Sequence, residues 1–282
     1  MEDAFHWYPG HMAKAKRAIL GDIRLIDVII ELLDSRAPLA TQNPDIAALS
    51  NGKKRVVVLN KSDLASKDGN VSWVEYYREN GLNAAGVNLK SKEGLRSVRA
   101  LLSEAAAEKH KRDLKRGIKQ KRPVRALVCG IPNVGKSTFI NAMAGKNVVK
   151  TGNKPGVTKG KQWITVSKEI ELLDSPGLLW PKIEDKKTAL YLALIGSMND
   201  EAINTDILIE KLTELMKERY PEILEEKYGA EKEEGVGEIL IKAAVRYNML
   251  KKGGEPDLKR AADNMLDDFR SGRLGRITLE FP

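Results

Sequence analysis

The stretch Gly130-Ile131-Pro132-Asn133-Val134-Gly135-Lys136-Ser137-Thr138 decides how the rest of this chain is read. It meets the phosphate-loop pattern GxxxxGK[ST] at every fixed position. The apolar run Val124 to Cys129 precedes it and the helix-forming run Phe139 to Ala144 follows, the strand, loop and helix that phosphate binding needs. A short glycine-flanked turn at a helix N-terminus points several backbone N–H groups inward, where unpaired donors and the helix dipole favour phosphate oxygens. Val134 to Thr138 would line the phosphates, with Lys136 reaching the β and γ groups and Ser137 ligating Mg²⁺. The plain alternative, a glycine turn entering an ordinary helix, does not need this frame.

Around that stretch lie 282 residues with 42% hydrophobic content, enough to bury a core in one large domain or two smaller ones. No apolar run approaches the roughly 20 residues of a membrane span. Glu2, Asp3 and His6 stand where a signal peptide needs a basic patch and an apolar block, so a cytoplasmic protein is expected. The lone cysteine, Cys129, ends a buried strand and reads as core; no disulfide framework or thiolate metal cluster is available. The net charge of +9 is concentrated: Lys109, Lys111, Arg112, Lys115, Arg116, Lys119, Lys121, Arg122 and Arg125 face Asp113 alone. Such a run is either a solvated linker or a contact to a phosphate backbone, and the sequence leaves both open.

Upstream, Ile26 to Leu33 is a nearly continuous apolar run of strand length, as expected for a parallel strand covered on both faces, and Arg55 to Leu59 reads as a second buried strand. The first ends in the loop Asp34 to Pro38, and a short helix over Pro44 to Ser50 follows. The second ends in Asn60-Lys61-Ser62-Asp63, a match to the NKxD guanine-recognition motif at the C-terminal end of a parallel strand, where α/β folds bind ligands. Asp63 can accept hydrogen bonds from the ring N–H and the exocyclic amine of guanine, a pair adenine does not offer. Asn60 faces the base edge and the Lys61 stem packs on the ring. Buried groups left unpaired by the wrong base make such a site selective, which argues against an ATPase.

A helix over Val71 to Asn80 carries Trp73, Val74 and Tyr77 as core rather than as a stacking platform. A strand over Asn83 to Val87 then leads to Asn88-Leu89-Lys90, which resembles the SAK loop of GTPases; Asn88 and Leu89 replace its Ser and Ala, so only the backbone contact at Leu89 carries over. The helix Leu95 to Ala107 and the basic run complete the segment before the phosphate loop.

Downstream, Asn147 to Gly160 fits a switch segment in which Thr158 meets Mg²⁺ and the γ-phosphate, or is an ordinary loop threonine. A hairpin of Trp163 to Val166 with Ile170 to Leu173 leads to Asp174-Ser175-Pro176-Gly177, a DxxG match. Asp174 would hold Mg²⁺ through water and Gly177 would donate its N–H to the γ-phosphate. From Trp180 no strand-like run is expected before the last residues. Helical spacing appears instead at Leu208, Leu212, Leu215 and Met216; at Ile239, Leu240, Ala243, Ala244, Tyr247 and Leu250; and at Leu258, Ala261, Ala262, Met265 and Phe269. Pro256 is read as the start of the last helix and Gly272 as its end. Lys259, Arg260, Arg270, Arg273 and Arg276 offer either a nucleic-acid face or a solvated surface.

The motif order is that of a circularly permuted GTPase, because NKxD and the SAK-like loop precede the phosphate loop where Ras-like GTPases place them last. The expected fold is α/β: a Ras-like P-loop GTPase domain with permuted motifs over residues 1–179, opened by a basic, aromatic extension, then an all-α domain over 180–282. The opening His6-Trp7-Tyr8-Pro9-Gly10-His11-Met12, the segment Asn153 to Gly160 and the closing Leu274 to Glu280 make the chain resemble, over essentially its whole length, the bacterial ribosome biogenesis GTPase A family. That resemblance implies GTP and GDP as ligands, Mg²⁺, and a large ribosomal subunit precursor as partner, with a monomer off the ribosome and no membrane. Leu178 stands where many GTPases orient water with glutamine, so slow intrinsic hydrolysis is expected. The resemblance gives His11 that missing function, an RNA contact being the other reading. It gives Asn133 a K⁺ ion beside the transferring phosphate, with a turn-forming asparagine as the alternative.

Overall fold

Strand β2 (Val28–Asp34) has every residue buried, which requires cover on both faces and makes it the interior of a sheet. In the computed structural model it lies in a six-stranded sheet with β3 (Lys54–Asn60), β4 (Asn83–Val87), β5 (Val124–Cys129), β6 (Trp163–Ser167) and β7 (Ile170–Asp174). The order across the sheet is β4-β3-β2-β5-β7-β6. Every pairing is parallel except the hairpin β6–β7, which carries an irregularity between Thr165 and Ser167. The structure describes residues 5–6, 21, 23–50, 52–119, 122–149, 163–174, 182–183, 185–198 and 203–282.

Alternation along β2 divides the core. Val28, Ile30 and Leu32 pack with Val98 and Leu102 of α4 (Leu95–Lys115) and with Phe139 and Ile140 of α5 (Lys136–Ala144). On the opposite face Ile29 meets Ile46 of α2 (Pro44–Ser50), and Leu33 meets Trp73 and Tyr77 of α3 (Lys67–Glu79). The one-turn α1 (Pro38–Thr41) follows β2. Glu31, a charge inside a buried strand, is held by Arg55 at 2.6 Å and by the N–H of Asn43 at 3.3 Å.

After a two-residue strand β8 (Lys182–Ile183), antiparallel to β1 (Phe5–His6), the described chain is helical. It forms α6 (Lys186–Leu194), α7 (Thr205–Arg219), α8 (Pro221–Tyr228), α9 (Val236–Arg246) and α10 (Leu258–Ser271). Their apolar faces join the core of the α4 side of the sheet without a break. The tail then returns to the sheet: Ile277 N–H donates to the Leu64 carbonyl at 3.0 Å and Leu279 N–H to the Arg36 carbonyl at 2.7 Å.

Several expectations are corrected by this arrangement. The strand β8 interrupts a stretch expected to be free of strands. Helix α3 begins four residues before Val71, because Ser66 caps it by accepting from Gly69 N–H at 3.1 Å. Helix α4 continues eight residues past Ala107, so much of the basic run is helix and not linker. Asp257, whose carboxylate accepts from Arg260 N–H, caps α10, and Pro256 lies outside it. Tyr247 and Leu250 are exposed, since α9 ends at Arg246 and its apolar stripe ends with it. The basic helix expected over Ala13 to Leu20 lies outside the described residues.

Candidate functional site

The phosphate loop leaves β5 at Gly130, whose φ of +147° and whose position against the Leu32 carbonyl leave no room for a side chain: a Cβ would lie 2.5 Å from that oxygen. Asn133 takes a left-handed φ of +61°. Gly135, at φ +99°, is crowded by Asn60, with a would-be Cβ 2.5 Å from Nδ2. The helix starts at once with Lys136 and has no side-chain cap, leaving its first N–H groups to the loop's concavity. Val134 is buried, Ser137 half-buried and Thr138 exposed. Lys136 is buried and donates to the Ile131 carbonyl at 2.7 Å. Burial pulls its pKa down to about 8, against the opposing charge of Asp174.

Parallel pairing fixes the neighbours of this loop. Asp174 sits beside Val128 in register, at the C-terminal end of β7, 3% exposed. A buried carboxylate next to Lys136, together with the hydroxyl of Ser137, is a hard-oxygen donor set of the kind Mg²⁺ takes, so these residues fit that ion. Asn60, at the end of β3, donates Nδ2 to the Val134 carbonyl at 2.7 Å across the sheet, and its buried Oδ1 has no hydrogen-bond partner among the described residues. This bond joins the base motif to the phosphate loop. Asp63 lies half-buried in the turn after Lys61, its carboxylate in no ion pair among the described residues. In the loop after β4, Asn88 Oδ1 accepts from Lys90 N–H at 2.9 Å and Leu89 is buried with its Cδ1 close to Gly135. The structure therefore brings together Asn60, Lys61, Asp63, Asn88, Leu89 and Lys90 with Asn133 to Thr138 and Asp174. His11, Thr158 and Gly177 lie outside the described residues.

The sequence reading passed over Asp34 and Arg36. Both are buried at the C-terminal end of β2, Asp34 bonded to Arg36 at 2.8 Å and to Lys61 Nζ at 2.8 Å. A charged pair closing a mostly apolar strand, at the carboxyl edge of the sheet where ligands bind, was the signal available. It also missed the end of α6. The Ala193 and Leu194 carbonyls accept from Arg270 at 2.7 and 3.1 Å, that of Ile195 from Arg36 at 3.4 Å, and that of Gly196 from Asn133 Nδ2 at 3.0 Å. Gly196, at φ +72°, closes the helix while Ser197 N–H returns to Leu192. Arg270 is thereby committed to structure, while Arg273 pairs with Asp268 at 2.6 Å and stays exposed.

A phosphate loop locked by an asparagine to the Asn60-Lys61-Ser62-Asp63 turn, at the carboxyl edge of a mostly parallel sheet, defines a P-loop GTPase. Residues 125–232 match the family described as "50S ribosome-binding GTPase". The chain is 42% identical to ribosome biogenesis GTPase A of Bacillus cereus, over 98% of this chain and 93% of that one, and 32% identical to the Thermotoga maritima protein of the same name, over 98% and 94%. It belongs to the ribosome biogenesis GTPase A family and hydrolyses GTP. The crystal structure of GNP-bound YlqF from T. maritima, 30% identical, superposes with a TM-score of 0.65 over 95% of this chain and 98% of that one. A GDP-bound YlqF structure, 28% identical, gives 0.66 over 94% and 99%. Among the described residues no helix is long and apolar enough to cross a membrane.

Proposed function

We propose that this chain is a GTP-driven assembly factor for the large ribosomal subunit, acting late in its maturation. Its GTP form docks on the precursor particle, and particle-stimulated hydrolysis releases it. The observation that carries the nucleotide half of this reading is the Asn60–Val134 bond, which makes base and phosphate recognition one unit. Near full-length similarity to proteins named for ribosome biogenesis supports the other half.

In this reading the chain is a circularly permuted GTPase. The base loop on β3 precedes the phosphate loop on β5, and the match to the GTPase family begins only at Arg125. Residues 1–179 form the GTPase domain and 180–282 a helical, RNA-binding domain. Asp63, Asn60 and the Lys61 stem read guanine, with Leu89 contributing its backbone N–H and Asn88 and Lys90 shaping that loop. Lys136 and the N–H groups of Val134 to Thr138 hold phosphate, and Gly177 meets the γ group. Ser137, Thr158 and Asp174 hold Mg²⁺, which neutralises charge developing on the phosphates. Water attacks the γ-phosphorus, its bond to the β–γ bridging oxygen breaks, and GDP and phosphate leave. With Leu178 unable to orient that water, His11 supplies the function once the particle is engaged. Asn133 holds a K⁺ ion that stabilises the same charge.

RNA contact is supported by α4 and the turn after it, where Lys111, Arg112, Lys115, Arg116 and Lys119 are exposed. The remaining cations of that run are partly committed: Lys109 pairs with Asp113, Arg122 with Asp27, and Arg125 with Glu171. Co-sedimentation with large-subunit precursors in a non-hydrolysable GTP analogue but not in GDP is expected; equal binding in both would make the protein an RNA-binding scaffold instead. His11→Ala is expected to abolish particle-stimulated turnover, and turnover left intact would end its catalytic assignment. A monomer is expected in sedimentation of the free protein.

A further inference from the structure

An aspartate and an arginine with side chains 0% and 1% exposed are costly to bury, and such a pair persists only where every charge and donor is matched. Arg36 meets that condition through two parts of the chain. Toward the sheet, its Nε donates to Asp34 Oδ1 at 2.9 Å and its Nη2 to Oδ2 at 2.8 Å, a bidentate clamp. Toward the helices, Nη2 and Nη1 reach the carbonyls of Ile195 and Arg270, each at 3.4 Å, and the guanidinium lies 5.2 Å from the centre of the Phe269 ring. Its own carbonyl takes the Leu279 N–H. Arg36 is thus gripped by the end of α6, by α10 and by the tail.

Asp34 passes the constraint on. Its Oδ2 also holds Lys61 Nζ at 2.8 Å. Lys61 has a left-handed backbone at φ +60°, so it is fixed at the main chain and again at the ammonium. Only the stem between is left to meet a ligand, and its lie is set by where Asp34 stands. The planar guanidinium grips both oxygens of that carboxylate, and the Arg36 backbone N–H donates to Oδ1 at 3.1 Å; without the guanidinium only the backbone bond and Lys61 hold it, and it can turn.

We propose that Arg36 is a positioning residue of the guanine site, acting through Asp34 on Lys61, and that the helical segment, by gripping Arg36, sets the affinity for guanine nucleotide. This rests on the reading of Lys61 as a contact to the base. It gives the helices a hold on the base end of the site, separate from the phosphate-sensing segments.

The test is a double-mutant cycle on the full-length chain, reading the dissociation constant of a fluorescent GDP analogue. Arg36→Gln is expected to weaken binding about tenfold in the Lys61 protein and less than about twofold in the Lys61→Ala background. Arg36→Lys, which keeps charge but not the fork, should fall between wild type and Arg36→Gln. A merely structural arginine would weaken both backgrounds equally, and that result overturns the proposal. Should Arg36→Gln fail to fold, Phe269→Leu removes the ring while leaving the ion pairs, and the same dependence on Lys61 is expected; equal effects in the two backgrounds again overturn it. If Lys61→Ala alone leaves affinity unchanged, the base reading of Lys61 falls and the proposal with it. Affinity that depends on Lys61 but not on Arg36 removes the proposal alone.

Discussion

The side-chain amide of Asn133 donates to the carbonyl of Gly196 at 3.0 Å, so a residue of the phosphate loop caps the C-terminus of helix α6. Removing it as Asn133→Ala is expected to cost about 0.5–1.5 kcal/mol in urea unfolding, the net worth of one such bond. If Asn133 also holds K⁺, turnover in K⁺ should exceed that in Na⁺ about tenfold or more in the wild type, and the ratio should collapse toward one in the variant. Equal rates in the two salts for the wild type would remove the K⁺ assignment.

Asp63→Asn replaces an acceptor pair with one donor and one acceptor. GTP affinity is expected to fall by about two orders of magnitude or more, because a guanine donor then faces a donor, while xanthosine triphosphate, with a carbonyl in place of the amine, gains. Competition against a fluorescent guanine nucleotide reads both. Unchanged preference would show that the base lies elsewhere.

Lys136 gives binding a pH dependence. Its pKa of about 8 lies below the ordinary lysine value of 10.5, chiefly through burial, and phosphate beside it favours the protonated form. Binding should therefore take up about a tenth of a proton at pH 7 and about nine-tenths at pH 9, with affinity falling toward tenfold per pH unit above 8. In the free protein the sign is reversed: a depressed lysine opposes folding while protonated, so its contribution improves as pH rises from about 8 toward 10.5. Calorimetry in buffers of different ionisation enthalpy measures the uptake, and none at pH 9 would refute the coupling.

Gly69 lies in the first turn of α3, where alanine is ordinarily preferred to glycine by up to about 1 kcal/mol. Here a Cβ would collide with Thr278 Oγ1 of the returning tail and lie 2.8 Å from Ser66 Oγ. Overpacking of this kind costs about 1–3 kcal/mol, so Gly69→Ala is expected to destabilise despite the helix preference. In a Thr278→Ala background the same change should cost much less. Equal costs in both, from urea titrations, would place the strain elsewhere.

Changing Lys111, Arg112, Lys115 and Arg116 together to glutamine removes exposed charge without touching the paired Lys109. Binding to large-subunit precursors should weaken, and its salt dependence should shrink by about one in log–log slope for each phosphate no longer neutralised. Turnover of the free protein should stay as it was. An unchanged salt slope would return this surface to solvent.

Local pattern made most of the site legible. The phosphate loop, Asn60-Lys61-Ser62-Asp63 and Asp174 are short motifs whose spacing is fixed by strand ends and turns, so the chain alone names them. Apolar runs located β2, β3, β5 and β7 to within a residue or two, since a strand covered on both faces is mostly apolar and tolerates a charge such as Glu31 only with a partner beside it. Helix ends were less legible: α3 and α10 start where Ser66 and Asp257 cap them, and α4 runs on into its charges. What only the tertiary structure decided is the traffic between distant segments. Arg36 and Arg270 look like surface charges in sequence, yet Arg270 ends on carbonyls of the last turn of α6 and Arg36 reaches that of Ile195 just past it, and Trp73 Nε1 finds the Glu280 carbonyl 207 residues away. Those partners are backbone oxygens at a helix end and in a tail, which carry no side-chain signature. They become visible only when the chain is folded and each buried donor must find an acceptor.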